Sequence, residues 1–308
     1  MIPHEIKQVV KTRYGKFAET GGSKEACWPS KEKPGSGFAV DQGVYPQEAL
    51  SSVPEVALNL SRGCGNPTGF ANLQSGDVVV DFGCGGGIDV ILAARKIGEQ
   101  GRVVGIDFAS EMIERAKQAV TESGLQGRDI ELRVADMGES QLPGGCADVV
   151  ISNCVINLCP DKDAVYEEAF RILKSGGRLA ISDIVLNEAV DSKLGERFQA
   201  TWAGCLGGAI HEEDYWQTVR KAGFTEIQIV ARHTLTPEEL KTMACCPGEE
   251  FTPPPNNEDL VLVEEKVDSV KFTAVKPSLV WEIEPNPFLT SPKYSRLWDF
   301  HNWQSCRG

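Results

Sequence analysis

A run of three valines that leads into Asp81-Phe82-Gly83-Cys84-Gly85-Gly86-Gly87 constrains this chain more than any other stretch. The β-branched run favours a buried strand, and the glycines let the backbone turn sharply and approach a ligand while a helix begins. The sequence downstream keeps the same rhythm. Ile88 to Ile97 reads as a helix, RVVGID as a strand, Ser110 to Ser123 as a helix, and IELRV and ADVVISN as strands. A helix from Lys162 to Leu173 is stopped by Gly176 and Gly177, and RLAISDIV makes the fifth strand by residue 185. Such alternation means βαβ units and a parallel sheet, so the fold class is α/β, Rossmann-like, with helices on both faces.

At 308 residues, with 41% hydrophobic and 24% charged content, the chain can bury one large core plus additions. Three regions are expected. Residues 1–60 hold an amphipathic helix over Pro3 to Glu19 and a lid or loop carrying Cys27; residues 61–232 form the main domain; residues 233–308 form a C-terminal, acceptor-side appendage and an aromatic tail. Within 61–232, Val190 to Ala203 and His211 to Ala222 read as helices and TEIQIVAR as a strand. Thr236-Pro237-Glu238-Glu239 reads as a capping box with proline at the first helical position. The helix it opens is expected to end near Cys245-Cys246-Pro247, and LVLVEE and VDSVKFTAVKP read as paired strands of a small α+β appendage.

The formal charge of -13, from 44 acidic against 31 basic residues, repels polyanions, so nucleic acid and anionic membranes are not expected partners. Met1 to Thr20 has no apolar signal core, and no run approaches the ~20 apolar residues of a membrane span. A cytoplasmic protein, monomer or weak dimer, is expected. Ten cysteines are many for a reducing compartment, where thiols more often serve metal, metalloid or redox chemistry than disulfides.

The glycine loop differs from a dinucleotide fingerprint because an acidic residue opens it. Asp81 would repel a pyrophosphate but favours a cation, and S-adenosylmethionine carries both an ammonium and a sulfonium. Asp107 ends the next strand, where a carboxylate can accept from both ribose hydroxyls. Ala135-Asp136-Met137 follows the third strand, placed for Asp136 to meet the adenine amino group and Met137 to pack on the ring. Together with Gly83, Cys84, Gly85, Gly87, Phe108, Met112 and Asn153 these residues make up the expected donor site, with Cys84 there for its small size.

Four further motifs narrow the acceptor: Ser61-Arg62-Gly63-Cys64-Gly65-Asn66-Pro67, Ser152-Asn153-Cys154-Val155-Ile156-Asn157-Leu158, Trp202-Ala203-Gly204-Cys205-Leu206-Gly207-Gly208-Ala209, and Cys27. With the glycine loop they resemble the arsenite methyltransferase family of class I S-adenosylmethionine-dependent methyltransferases. The resemblance runs from about residue 5 to about residue 276. The last 32 residues have no counterpart in it, and Ala26 and Trp28 do not repeat the cysteine pair the family often carries beside the Cys27 position. It implies that Cys64, Cys154 and Cys205 ligate As(III), that Cys27 helps in capture or disulfide exchange, that Tyr14 closes over the donor, and that glutathione or thioredoxin restores the thiols. Soft thiolates are the natural ligands of a thiophilic ion, and three of them leave its lone pair free to attack a methyl group. A quinone-modifying C- or O-methyltransferase, or a non-catalytic metalloid-binding protein, would share the donor half. No C-x-x-C occurs, so structural zinc is not expected. Cys146, Cys159, Cys306 and the Cys245-Cys246 pair receive no role.

Overall fold

The computed structural model describes residues 3–22, 44–188, 205–243 and 261–278. Cys27, the helix expected over Val190 to Ala203, the Cys245-Cys246 pair and the aromatic tail lie outside them. The chain up to Pro277 belongs to one compact unit.

The main elements are α1 (Pro3–Glu19), β1 (Val78–Phe82), α2 (Ile88–Ile97), β2 (Arg102–Asp107), α3 (Ser110–Glu122), β3 (Asp129–Val134) and β4 (Ala147–Asn153). After them come α4 (Lys162–Ile172), β5 (Leu173–Leu186), α5 (Glu212–Lys221), β6 (Thr225–Thr234), α6 (Pro237–Met243) and β7 (Val267–Val275). The seven strands form one sheet in the order β3-β2-β1-β4-β5-β7-β6. The first five run parallel, and β7 is antiparallel to both its neighbours.

Alternation along each central strand splits the core in two. Val79, Val103, Val149, Ile151 and Ala180 pack with Ile91 and Ile97 of α2 and Ile113 of α3. Val80, Phe82, Val104, Ile106, Val150 and Ile181 pack on the other face with Tyr166 of α4, Tyr215 and Trp216 of α5, and Phe272 of β7. Both faces are covered, which is why these strands read as near-continuous apolar runs. The connections α2 and α3 cover one face and α4 the other, so the winding reverses between β1 and β4. That reversal opens a crevice at the carboxyl ends of the strands, the place where open α/β sheets bind ligands.

The capping box forms as read. Thr236 Oγ1 accepts from the Glu239 N–H at 3.3 Å, and Glu239 Oε2 accepts from the Thr236 N–H at 2.8 Å. The strand pair expected in the appendage does not form. Val261 and Leu262 are helical and exposed, Val263 enters the core, and Glu265 turns the chain with φ 64°. VDSVKFTAV, by contrast, runs inside the main sheet as β7, in register with β5 from Arg178↔Val275 to Leu186↔Val267. Burial explains the outcome. Val267, Val270, Phe272 and Ala274 are all fully enclosed, an area that a small appendage could not cover.

Candidate active site

The crevice is a cleft lined by the glycine loop, the ends of β2 and β4, the 60–63 segment and Tyr14 of α1. Asp81, Gly83, Cys84, Gly85, Asp107, Phe108, Met112, Asn153 and Cys154 all line it, as does Tyr14. The loop needs its glycines. Gly83, Gly85 and Gly87 have φ of 71°, 50° and 90°, and a Cβ on Gly83 would stand 2.4 Å from Val155 Cγ2. Gly87 is the N-cap residue of α2 and is not among the residues lining the cleft.

Asp107 is organised by backbone. It accepts the Gly85 N–H at 3.0 Å and the Ala109 N–H at 2.9 Å, which ties the end of β2 to the glycine loop. Asp81 is only 2% exposed, and its Oδ2 has no hydrogen-bond partner among the described residues. A buried carboxylate oxygen with no donor is costly. Burial pushes the Asp81 carboxyl well above its usual range, and the neighbouring Asp89 and Asp107 push it further. Burial likewise raises Asp89 and Asp107, each to about 6. Three carboxyls at one loop suit a ligand that brings positive charge, so these residues fit S-adenosylmethionine. Burial, and then the neighbouring Asp107 and Asp81, raise the Cys84 thiol, which stays protonated and packs as a small neutral group.

A pH dependence follows. An acid whose folded pKa lies above its unfolded value binds more protons when folded, so it costs stability as pH climbs from one value to the other. The carboxyls held below their usual range, Glu131, Asp148, Glu168, Glu212 and Glu239, act in the opposite sense, but only below about pH 4.5. The unfolding midpoint of the protein alone is therefore expected to fall between pH 5 and 7, and donor affinity to rise over the same interval. Scanning calorimetry with and without S-adenosylmethionine checks this. A midpoint that stays level between pH 5 and 7 would remove the carboxyl-cluster argument.

The thiols gather at the edge of the cleft. Cys64 lies between two glycines in the segment preceding β1, pressed against β4 and β5. A Cβ on Gly63 would meet Asn153 Nδ2 at 2.3 Å, and one on Gly65 would meet Ser182 Oγ at 2.0 Å. Only glycine permits that approach on either side of the cysteine. Cys154 follows β4 with φ 61°, and its N–H reaches Ser182 O at 2.7 Å. A left-handed cysteine stores on the order of 1–3 kcal/mol of strain. Cys205 opens a 3₁₀ turn, Cys205–Gly208, and its Sγ donates to Cys154 O at 2.8 Å, while Cys64 Sγ stands 3.5 Å from Ser182 Oγ.

Burial pushes the Cys154 thiol well above its usual value, and contact with the thiols of Cys205 and Cys64 pushes it further. The three sulfurs are thus neighbours, yet two of them are turned toward oxygen atoms. Among the described residues no three His, Cys, Asp or Glu side chains stand grouped to hold a metal ion. Convergence on one atom requires side-chain rotation at Cys64 and Cys205. Tyr14 lies next to both centres: burial raises its phenol, and so do Cys205 and Cys154.

Ala135, Asp136 and Met137 stand beside the cleft rather than among the residues lining it, and the Ala135 N–H donates to Asp107 O at 3.0 Å. Asp136 accepts from the Gly138 N–H at 2.9 Å and pairs with Lys7 of α1, so α1 reaches over that turn. His211 caps α5, and Glu212 pairs with Arg232. Asp89 and Tyr45 bond Asn153, and Ser182 stands against Cys64, although no motif singles these three out. A lone carboxylate in the apolar run Ile88-Asp89-Val90-Ile91-Leu92 was a usable signal; Tyr45 and Ser182 carried none.

Residues 73–223 match a family model described as a methyltransferase domain. An arsenite methyltransferase of Halobacterium salinarum is 32% identical over 246 residues, which are 76% of this chain and 61% of that protein. The arsenite methyltransferase of Mus musculus is 31% identical over 245 residues, 76% of this chain and 62% of that one. The crystal structure of an arsenic(III) S-adenosylmethionine methyltransferase from Chlamydomonas reinhardtii aligns with TM-score 0.59 at 26% identity, covering 80% of this chain and 75% of that one. The chain spans about three fifths of the length of the curated relatives it matches.

Proposed function

Because the chain belongs to the arsenite methyltransferase family, we propose that it transfers the methyl group of S-adenosylmethionine to trivalent arsenic held by Cys64, Cys154 and Cys205. What supports this reading is that Cys64 and Cys205, from distant segments, each neighbour Cys154 beside a cleft lined by carboxyls.

When bound, the donor supplies an electrophilic methyl carbon on a sulfonium and leaves as a neutral thioether. Asp81 would face its cationic amino acid end, Asp107 its ribose, and Phe108 and Met112 its base, with Tyr14 closing the cleft. Asp136 is proposed at the adenine amino group through the α1 side of that turn, with Ala135 and Met137 beside it.

Arsenous acid condenses with three thiols as three As–O bonds and three S–H bonds break, three As–S bonds form and three waters leave. No charge is created, so the raised Cys154 thiol is no obstacle, and a neutral trithiolate suits an apolar surrounding. Three sulfurs leave arsenic pyramidal with its lone pair exposed. Catalysis is then chiefly positioning of that lone pair in line with the methyl carbon. Forming the C–As bond takes arsenic from the trivalent to the pentavalent level. A thiol reductant, glutathione or a thioredoxin-type dithiol, returns two electrons and is oxidised to a disulfide. Cys27 is proposed to help in capture of arsenic or in disulfide exchange.

Among the described residues no helix is long and apolar enough to cross a membrane. We propose cytoplasmic action on a small metalloid substrate, without nucleic acid, by a monomer or weak dimer. Incubation with labelled S-adenosylmethionine, arsenite and thiol, with products identified by mass, tests the reaction. Methylated arsenicals are expected; arsenite left unmethylated while a quinol or phenol takes the label would transfer the assignment to a C- or O-methyltransferase.

A further inference from the structure

Asn153 ends β4 at the seam between the donor cleft and the thiols. Its Oδ1 accepts the N–H groups of Cys64 and Gly65, each at 3.0 Å. Its Nδ2 donates toward Gly65 O at 2.8 Å, Tyr45 Oη at 2.8 Å and Asp89 Oδ2 at 3.1 Å. A primary amide offers two hydrogens and two lone pairs. These contacts use all of them, so the side chain has nothing left for the donor whose cleft it lines.

The groups it binds are themselves fixed. Tyr45 is 1% exposed and donates to the Asp89 carboxylate, and Asp89 sits in the first turn of α2, directly after the glycine loop. The glycines at 63 and 65 let the Cys64 segment close on this amide from both sides. Asn153 therefore joins three elements that share no strand pairing with one another: the Cys64 segment, the start of α2 and the 45 region. Cys154, one residue further on, is set by the same strand end.

We propose that Asn153 is the positioning residue of the acceptor centre, holding the Cys64 thiol in register with Cys154 through its amide while making no bond to the methyl donor. The purpose of that register rests on the arsenic reading given above. The clamp on Cys64 does not, and the two can fail separately.

The test compares Asn153→Ala and Asn153→Asp with the unaltered full chain. Three quantities are read: the rate of Cys64 alkylation by iodoacetamide, followed by peptide mass spectrometry; As(III) affinity from thiolate absorbance; and S-adenosylmethionine affinity by calorimetry. Losing buried hydrogen bonds of 1–3 kcal/mol corresponds to changes on the order of tenfold or more. In Asn153→Ala, Cys64 is expected to alkylate at least about tenfold faster and As(III) to bind about tenfold more weakly, a larger loss than that of donor affinity.

In Asn153→Asp the two acceptor contacts survive, but an oxygen replaces the donor nitrogen opposite Gly65 O and Asp89. With that donor lost, Cys64 is expected to alkylate faster than in the unaltered chain at the same pH, by less than in Asn153→Ala. Alkylation of Cys64 at the unaltered rate in both variants overturns the clamp, as does donor affinity falling as far as arsenic affinity. If Asn153→Ala does not fold, the Cys64 alkylation rate of Asn153→Asp at one pH decides. If the unaltered chain binds no As(III), the function proposed above falls, and the alkylation rates alone decide the clamp.

Discussion

Replacing Cys154 by serine is expected to cut arsenite methylation by roughly three orders of magnitude while leaving S-adenosylmethionine affinity within about threefold. A hydroxyl is a hard, weakly exchanging ligand for a thiophilic centre, so the proposed chelate would drop from three sulfurs to two. Much of the advantage of holding arsenic in line with the methyl carbon goes with it. The donor side changes little, because serine keeps the size of the side chain and the backbone bond to Ser182 O. Cys205→Ser is expected to act in parallel, since Cys205 contacts Cys154 from the other side. Steady-state methylation with arsenite, alongside calorimetry with the donor alone, separates the two halves of the site. A Cys154→Ser protein that methylates arsenite at an undiminished rate removes the three-thiol centre from the mechanism.

Asp81→Asn is the complementary case and is expected to act in two directions at once. Donor affinity should fall by two orders of magnitude or more, because removing one partner of a buried charge pair costs about 3–5 kcal/mol. Stability without the donor should hold or rise. Asp81 is enclosed, carries an oxygen with no hydrogen-bond partner among the described residues, and stands near Asp89 and Asp107. An amide removes that repulsion and the cost of enclosing a charge. Thermal unfolding should therefore show a midpoint equal to or above that of the unaltered protein, with the shift on adding S-adenosylmethionine largely lost. A lower midpoint with donor binding retained would mean that Asp81 is structural and that the cation is met elsewhere.

The two substitutions act on parts of the site that differed in how far they could be read from sequence. Asp81, Gly83, Gly85 and Asp107 lie within local patterns: a strand, a sharp turn, a helix start and the end of the next strand. Their spacing carries their geometry, because a βαβ unit has few ways to fold. The thiols lie 64, 154 and 205 residues along the chain, and no period links them. Similarity of short motifs pointed to them, and the packing of the 60–66 segment against β4 and β5 brings two of them to one end of the sheet. The C-terminal strand shows the opposite failure. VDSVKFTAV read correctly as a strand and wrongly as part of an appendage, because a strand's pattern of burial does not say which sheet it joins.

By itself the sequence determined the strands, most of the helices, the glycine loop and its acidic partners, since these follow from contacts among near neighbours. Only the tertiary structure decided that β7 enters between β5 and β6, that Lys7 of α1 takes Asp136, and that Asn153 divides its amide among the Cys64 segment, Tyr45 and Asp89. Each of these pairs groups far apart in the chain, where the outcome rests on which surfaces and hydrogen-bonding groups remain to be satisfied once the core has closed.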